Sequence, residues 1–228
     1  MFKYTQPFHL VCCLRNMDMS FIQNLERSLQ HPLPGQAAQI RMAHPARYEG
    51  TFIPETATLA GVLALFFPKN GHWNLVFIER VANPNDKHKG QISFPGGRFD
   101  ELDGHSGQTA LREAQEEVGV NPQDITLLGA LTELYIPISN FHVQPHVGFM
   151  EYAPTFSPQE SEVAGILEVP FDHFQNPQNI KRKDLVLSAF SLSDVPYFDL
   201  EGKVLWGATA MMVSELIEVC SRNAVVGQ

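Results

Sequence analysis

The sequence predicts an α+β domain built on a mixed β-sheet. Three observations carry this. Apolar runs of strand length fill the middle of the chain; helical patterns stand near its start, centre and end; and no internal repeat or long linker divides it. At 228 residues, 44% of them hydrophobic, the chain has the length and apolar content for one generous core.

The elements follow in order. Ser20 is the expected cap of a helix running to about Gln30, with Phe21, Ile22, Leu25 and Leu29 on one face. His31 to Gly50 reads as irregular, broken by Pro32, Pro34 and Pro45. Thr58 to Phe67 is an apolar strand, Asn70-Gly71 a hairpin turn, and Trp73 to Arg80 the returning strand. A polar loop, Val81 to Lys89, leads to a short strand, Gln91 to Phe94, that breaks at Pro95-Gly96-Gly97. Gly107 to Val118 is helical and Gly119 stops it. Strands follow at Ile125 to Leu134, His142 to Glu151 and Ile166 to Val169, then a brief helix at Phe171 to Phe174. Leu185 to Leu192 and Val204 to Trp206 read as strands joined through Glu201-Gly202, and Gly207 to about Arg222 as a terminal amphipathic helix.

Met1 to Asp18 fits none of this. Phe8 to Leu14 is apolar but short, contains His9, and precedes no small-residue cleavage site, so it does not read as a signal peptide. The expectation is a disordered or mis-assigned leader before a single domain, 19–228, whose first helix is an N-terminal extension.

Lys and Arg total 16 against 25 Asp and Glu, a net charge of −9, which disfavours nucleic acid as a partner. No stretch approaches the roughly 20 apolar residues of a membrane helix. Three cysteines, with Cys12 and Cys13 adjacent, cannot build a disulfide framework, and a reducing, cytoplasmic setting is expected.

The chemistry concentrates in Arg112-Glu113-Ala114-Gln115-Glu116-Glu117-Val118-Gly119. Glu113, Glu116 and Glu117 fall at i, i+3 and i+4, one helix face, where like charges repel. Three hard oxygen donors on a rigid helix suit Mg²⁺ or Mn²⁺, which keep waters and recruit substrate phosphates. A solvated acidic face is the plainer alternative. Against it stands Phe94-Pro95-Gly96-Gly97 upstream, where glycine lets backbone approach a ligand closely and offers a carbonyl, Gly97 first.

Gly97 to Val120 resembles the Nudix box, G-x5-E-x7-R-E-U-x-E-E-x-G-U, with Gly97, Arg112, Glu113, Glu116, Glu117, Gly119 and Val120 in the matching places. The loop is one residue longer, and Asp103 takes the first acidic place. His88-Lys89-Gly90-Gln91-Ile92-Ser93-Phe94-Pro95-Gly96-Gly97 and Thr109-Ala110-Leu111-Arg112-Glu113 resemble the coenzyme A pyrophosphatase branch of that family. Ser139 to Val143 with Pro145, Pro196-Tyr197-Phe198 and Trp206 to Ala210 do so too.

The resemblance implies a Nudix α/β/α sandwich and water attack on a diphosphate. It implies Glu113 and Glu117 as metal ligands, Glu116 as a further or water-mediated ligand with a catalytic part, and Arg112 paired to an acidic neighbour to hold the box in shape. Glu162, with Glu160 nearby, is the candidate base from a distant loop. Arg80 and Arg98 are candidates for the diphosphate, and Lys87, His88 and Lys89 for the 3′-phosphate of coenzyme A. His142, with Phe141, is a candidate for adenine or the pantetheine arm.

The expected substrate is coenzyme A or a derivative, giving 3′,5′-ADP and 4′-phosphopantetheine. The alternatives are a pyrophosphatase for ADP-ribose or another nucleoside-diphosphate derivative, and a non-catalytic nucleotide-sensing module. A homodimer is compatible with the sequence and not required by it.

Overall fold

A computed structural model describes residues 17–45, 52–83, 86–187 and 191–222. Helix α1 (Ser20–Leu29) and a short α2 (Gln36–Gln39) precede a hairpin of β1 (Thr58–Lys69) and β2 (His72–Arg80). Two short strands, β3 (Ile92–Ser93) and β4 (Gly96–Arg98), lead into helix α3 (Ser106–Val118). Then come β5 (Thr126–Ala130), β6 (Leu134–Ile136), β7 (Phe141–Phe149), β8 (Val163–Pro170) and α4 (Phe171–Gln175). Strands β9 (Ile180–Val186), β10 (Ser191–Leu200) and β11 (Lys203–Trp206) and helix α5 (Gly207–Ser221) complete the described chain.

The main sheet has eight strands. Strand β1 runs parallel to β7 from Thr58–Phe141 to Phe66–Phe149, and the other pairings are antiparallel, so the sheet is mixed as expected. The β1–β2 turn is the Asn70-Gly71 hairpin: both residues have positive φ, 54° and 78°, which asparagine and glycine tolerate. Strands β9, β10 and β11 form a separate antiparallel sheet.

Period-two alternation along β1 divides the core. Leu63, Leu65 and Phe67 pack with Ala110, Ala114 and Val118 of α3. Ala60, Ala64 and Phe66 pack with Leu25 of α1 and Met212 and Leu216 of α5. Helices thus cover both faces of the sheet, the α/β/α arrangement that the resemblance implied. Each fully buried Phe or Leu on these faces contributes roughly 1.5–3 kcal/mol. Phe66 meets Phe21 and Phe171 with ring centroids 5.5 and 5.2 Å apart, which ties α1 and α4 to the sheet.

Several elements differ from expectation. The N-cap position of α1 is Met19, with no side-chain cap, and Ser20 is the first helical residue, its N–H donating to Asp18 Oδ1 at 2.8 Å and its hydroxyl to Asp18 Oδ2 at 2.7 Å. Residues 1–16 of the expected leader lie outside the described residues, but Met17 packs against the core and the Asp18 carbonyl accepts from Trp73 Nε1 at 3.4 Å. The segment after α1 is not wholly irregular: α2 and a 3₁₀ turn, Ile40–Met42, form there. The run Ile125 to Leu134 holds β5 and the start of β6, both paired with β7, and Thr132 between them donates to Glu215 of α5. The run Leu185 to Leu192 is the meeting of two strands, with Val186 opposite Ser191; residues 188–190 between them lie outside the described residues.

Helix α5 is not amphipathic. Every residue from Thr209 to Leu216 is buried, because the helix is enclosed by α1, α2, α4 and β10 as well as the sheet. The fully buried Glu215 is met by donors: Thr132 Oγ at 2.6 Å, Gln39 Nε2 at 2.8 Å and the Gly35 N–H at 3.1 Å.

Candidate active site

Helix α3 can sit against β1 because position 61 is glycine: a Cβ there would stand 2.3 Å from the Ser106 carbonyl oxygen. Its apolar stripe of Ala110, Leu111, Ala114 and Val118 is buried, and that fixes the helix rotation. Glu113, Glu116 and Glu117 are thereby brought to the wall of a cleft of ≈ 620 Å³. Strand β4 lies across from them, held to β1 by Ala60–Arg98 and Val62–Gly96 pairings. The glycine pair at which the strand is expected to break is thus itself in a strand, and backbone rather than side chains faces the helix. The Glu113 carboxylate rests on Gly97, where a Cβ would fall 2.4 Å from its Cδ.

Glu117 is 2% exposed. One oxygen accepts from the Gly96 N–H at 2.8 Å, and the other stands 3.6 Å from Arg80 Nη1. Burial pushes its carboxyl up to about 8; the Gly96 N–H and Arg80 oppose this, and Glu113 and Glu162 add to it. Burial also raises the Glu113 carboxyl, against the pull of Arg112, and Glu116 and Glu162 push the same way as burial. Glu162 therefore acts on the same place as the helix carboxylates, and it too lines the cleft. It is carried there because Gln159 N–H donates to the Glu117 carbonyl at 3.0 Å, and the Glu162 carbonyl accepts from Val81 N–H at 2.8 Å.

The box has an anchor. Asp103 accepts from Arg112 Nε at 2.9 Å and Nη2 at 3.1 Å, from Thr109 Oγ at 2.8 Å and from the Asp100 N–H at 3.0 Å. Arg112 donates on to Glu113 at 2.8 Å, Glu116 at 3.3 Å and the Arg98 carbonyl at 3.0 Å. Hydrogen bonding from Arg112 holds the Asp103 carboxyl well below the usual carboxylate range. The pairing of Arg112 with Asp103 across the lengthened loop is thus present in the structure.

Of the residues expected at the site, Arg80, His88, Gly97, Arg98, Glu113, Glu116, Glu117 and Glu162 line the cleft. Lys87 and Lys89 flank His88 but are exposed and outside the wall. His142 is also outside it: Phe141 and Val143 face the cleft, and strand alternation turns the intervening His142 away to meet Glu133 at 2.7 Å. Glu160 is exposed and outside the wall. Asp86 and an apolar wall of Ile136, Pro137, Ile138, Leu187, Leu192 and Met212 were not anticipated. Their only sequence signals are an acid in a polar loop and scattered apolar residues from four segments.

No three His, Cys, Asp or Glu among the described residues stand together in a metal-holding arrangement, since Arg112 draws Glu113 and Glu116 and Gly96 holds Glu117. The donors still fit a divalent cation. They are hard oxygens, and Glu117 is a buried carboxyl that burial holds high, so a divalent cation beside it would favour its ionised, ligating form.

Hard-oxygen donors on a helix face laid over a diglycine strand suit a divalent cation and, through it, a phosphate. The NUDIX domain family model matches residues 57–190, and the chain belongs to that family of hydrolases, which act on small nucleotide substrates and generally use divalent metals. It is 37% identical over 139 residues to the uncharacterized Nudix hydrolase NudL of Pectobacterium atrosepticum, covering 57% of this chain and 67% of that one. Against NudL of Yersinia enterocolitica it is 32% identical over 165 residues, 67% of this chain and 83% of the relative. It is also 34% identical over 127 residues to the peroxisomal coenzyme A diphosphatase NUDT7 of Mus musculus, covering 56% of this chain and about half, 53%, of the mouse protein. Among the described residues no helix is long and apolar enough to cross a membrane.

Proposed function

We propose that the protein hydrolyses the diphosphate bond of coenzyme A or its derivatives, giving 3′,5′-ADP and a 4′-phosphopantetheine product. One observation carries this. The segment that resembles coenzyme A pyrophosphatases lines the same cleft as the helix carboxylates, through His88, Gln91, Ser93, Phe94, Gly96 and Gly97. The similarity to NUDT7 supports it.

Glu113 and Glu117, with Glu116 and the Gly97 carbonyl as further donors, are the proposed ligands of a divalent cation, Mg²⁺ or Mn²⁺. Such an ion supplies charge neutralisation for the diphosphate and lowers the pKa of a water. The chain's own groups do the rest. Arg80 and Arg98, both on the cleft wall, are the proposed partners of the phosphate oxygens. Glu162 takes the proton of the attacking water, with Glu116 at the cleft rim as its partner carboxylate. The apolar wall of Ile136, Ile138, Phe141, Leu192 and Met212 receives the pantetheine side and keeps bulk water from it.

The test compares coenzyme A, dephospho-coenzyme A and ADP-ribose as substrates with Mg²⁺ and with Mn²⁺, reading products by chromatography. The expected result is release of 3′,5′-ADP from coenzyme A with the highest kcat/KM of the three. ADP-ribose as the best substrate would move the protein to the sugar-nucleotide pyrophosphatases. No cleavage of any of the three would favour a nucleotide-sensing module.

A further inference from the structure

Arg80 does not stand free in the cleft. Its Nε donates to Asp86 Oδ2 at 2.7 Å, and its Nη1 lies 3.6 Å from Glu117 Oε1, so that one guanidinium bridges two carboxylates. Asp86 is itself fixed. Its Oδ1 accepts from the His88 N–H at 2.8 Å, its own N–H donates to the Asn83 carbonyl at 3.0 Å, and its carbonyl accepts from the Lys89 N–H at 3.3 Å. The Nε edge of Arg80 is tethered to Asp86, while its Nη edge faces a buried acid beyond hydrogen-bond range.

We infer that Arg80 is a stand-in counter-ion for the cation site, and that Asp86 is the positioning residue that keeps it in reach. This rests on Glu117 being a cation ligand. In the cation-free protein the guanidinium faces the buried Glu117 carboxyl, whose other partner among the described residues is the Gly96 N–H, and it opposes the burial that favours the neutral form. Arginine does not deprotonate, so this compensation can be withdrawn only by moving the side chain. A 3.6 Å contact is a charge contact without a hydrogen bond and is cheap to break. When a divalent cation takes Glu117, like charges repel the Nη edge from the carboxylate. The tether to Asp86 keeps that edge in the cleft, with two nitrogens turned to a substrate phosphate. One guanidinium thereby serves the Glu117 carboxyl and a substrate phosphate in turn.

The consequence separates this role from a structural one. Removing the Arg80 charge removes a competitor of the cation and a partner of the phosphate, so the two affinities move in opposite directions. A purely structural arginine would weaken both.

The experiment uses the full chain. Mn²⁺ binding is titrated without substrate by the electron paramagnetic resonance signal of the free ion, and KM and kcat are measured for coenzyme A. In Arg80→Gln, Mn²⁺ should bind about tenfold more tightly, the effect of a like charge within a few ångström removed. KM should rise about tenfold, with kcat less affected. In Asp86→Asn the untethered Arg80 falls back on its remaining acid, Glu117, so Mn²⁺ should bind more weakly while KM rises. Arg80→Lys, which keeps the charge but not the fork, should leave Mn²⁺ affinity near that of the wild type and still raise KM.

Glu117→Gln is the control that locates the ion. If it weakens Mn²⁺ binding while Arg80→Gln fails to strengthen it, the stand-in role is wrong and the carboxylate assignment survives. If Glu117→Gln leaves Mn²⁺ binding unchanged, the carboxylate assignment falls and this inference with it. Should Arg80→Gln not fold, Asp86→Asn decides: Mn²⁺ affinity equal to that of the wild type refutes the tether.

Discussion

Replacing Asp103 by Asn tests the anchor that holds the box in shape. Its Oδ1 accepts from Arg112 Nε, and its Oδ2 accepts from Arg112 Nη2, Thr109 Oγ and the Asp100 N–H. Every group around the carboxylate is a donor, so an amide NH₂ placed on either side faces another donor. The better orientation gives up the single Arg112 Nε contact, a charge-assisted bond worth roughly 1.5–3 kcal/mol. The cost stays below the ~3–5 kcal/mol of a broken buried pair, because Arg112 keeps Glu113, Glu116 and the Arg98 carbonyl. For a domain of this size the loss corresponds to a fall in Tm of roughly 3–12 °C. Calorimetry or urea unfolding of the cation-free protein measures it. There is a matching acid signature. A carboxyl held below its ordinary 3.8 contributes stability that is complete above that pH and is lost as pH falls below it. The variant should therefore lose less stability than the wild type below that point. A Tm within about 1 °C of the wild type at neutral pH, under the smallest step allowed here, would refute the anchoring argument.

Three further outcomes follow from the same geometry. Gly97→Ala places a methyl 2.4 Å from the Glu113 carboxyl carbon, which is the movable end of its side chain, so Tm should change little while kcat/KM falls about 10²-fold; equal activity would show that Glu113 need not lie on the glycine. Glu117→Gln removes a ligand while matching the neutral carboxyl that burial favours, so it should lose about 10²-fold or more in kcat yet unfold no more easily than the wild type without metal, and a turnover within a few-fold of the wild type would remove Glu117 from the ligand set. Burial lowers the His146 imidazole, with His105 adding to it, and its Nε2 lies 2.9 Å from Ser106 Oγ at the start of α3. Because the unfolded chain takes up that proton first, stability should decline as pH falls through the ordinary 6.5 and below, and His146→Gln should flatten this decline in a Tm-versus-pH series.

What the sequence determined is what local periodicity can carry. The spacing of Glu113, Glu116 and Glu117 puts them on one face because an α-helix turns every 3.6 residues wherever it is placed. Asn70-Gly71 sets a hairpin because both residues tolerate positive φ. The resemblance to the Nudix box, laid on Gly97 and Arg112, already singles out Asp103, and in the structure Asp103 and Arg112 pair. Tertiary structure decided everything that depends on which strands meet. His142 was a fair candidate until the register of β7 against β1 turned Phe141 and Val143 to the cleft and His142 away from it. Arg80 was legible as a cation near the glycines, but its engagement by Asp86 and Glu117 comes from a loop fold and a helix rotation that no spacing encodes. Glu162 reaches the cleft only because β8 pairs with β2 and the loop before it is hydrogen-bonded to the end of α3. Helix α5 reads as amphipathic in the sequence, and only the layers closing around it make Thr209 to Leu216 an interior segment. The physical reason is common to these cases. Backbone geometry fixes which side chains share a face, whereas which face meets the cleft is set by long-range pairing and burial, summed over residues far apart in the chain.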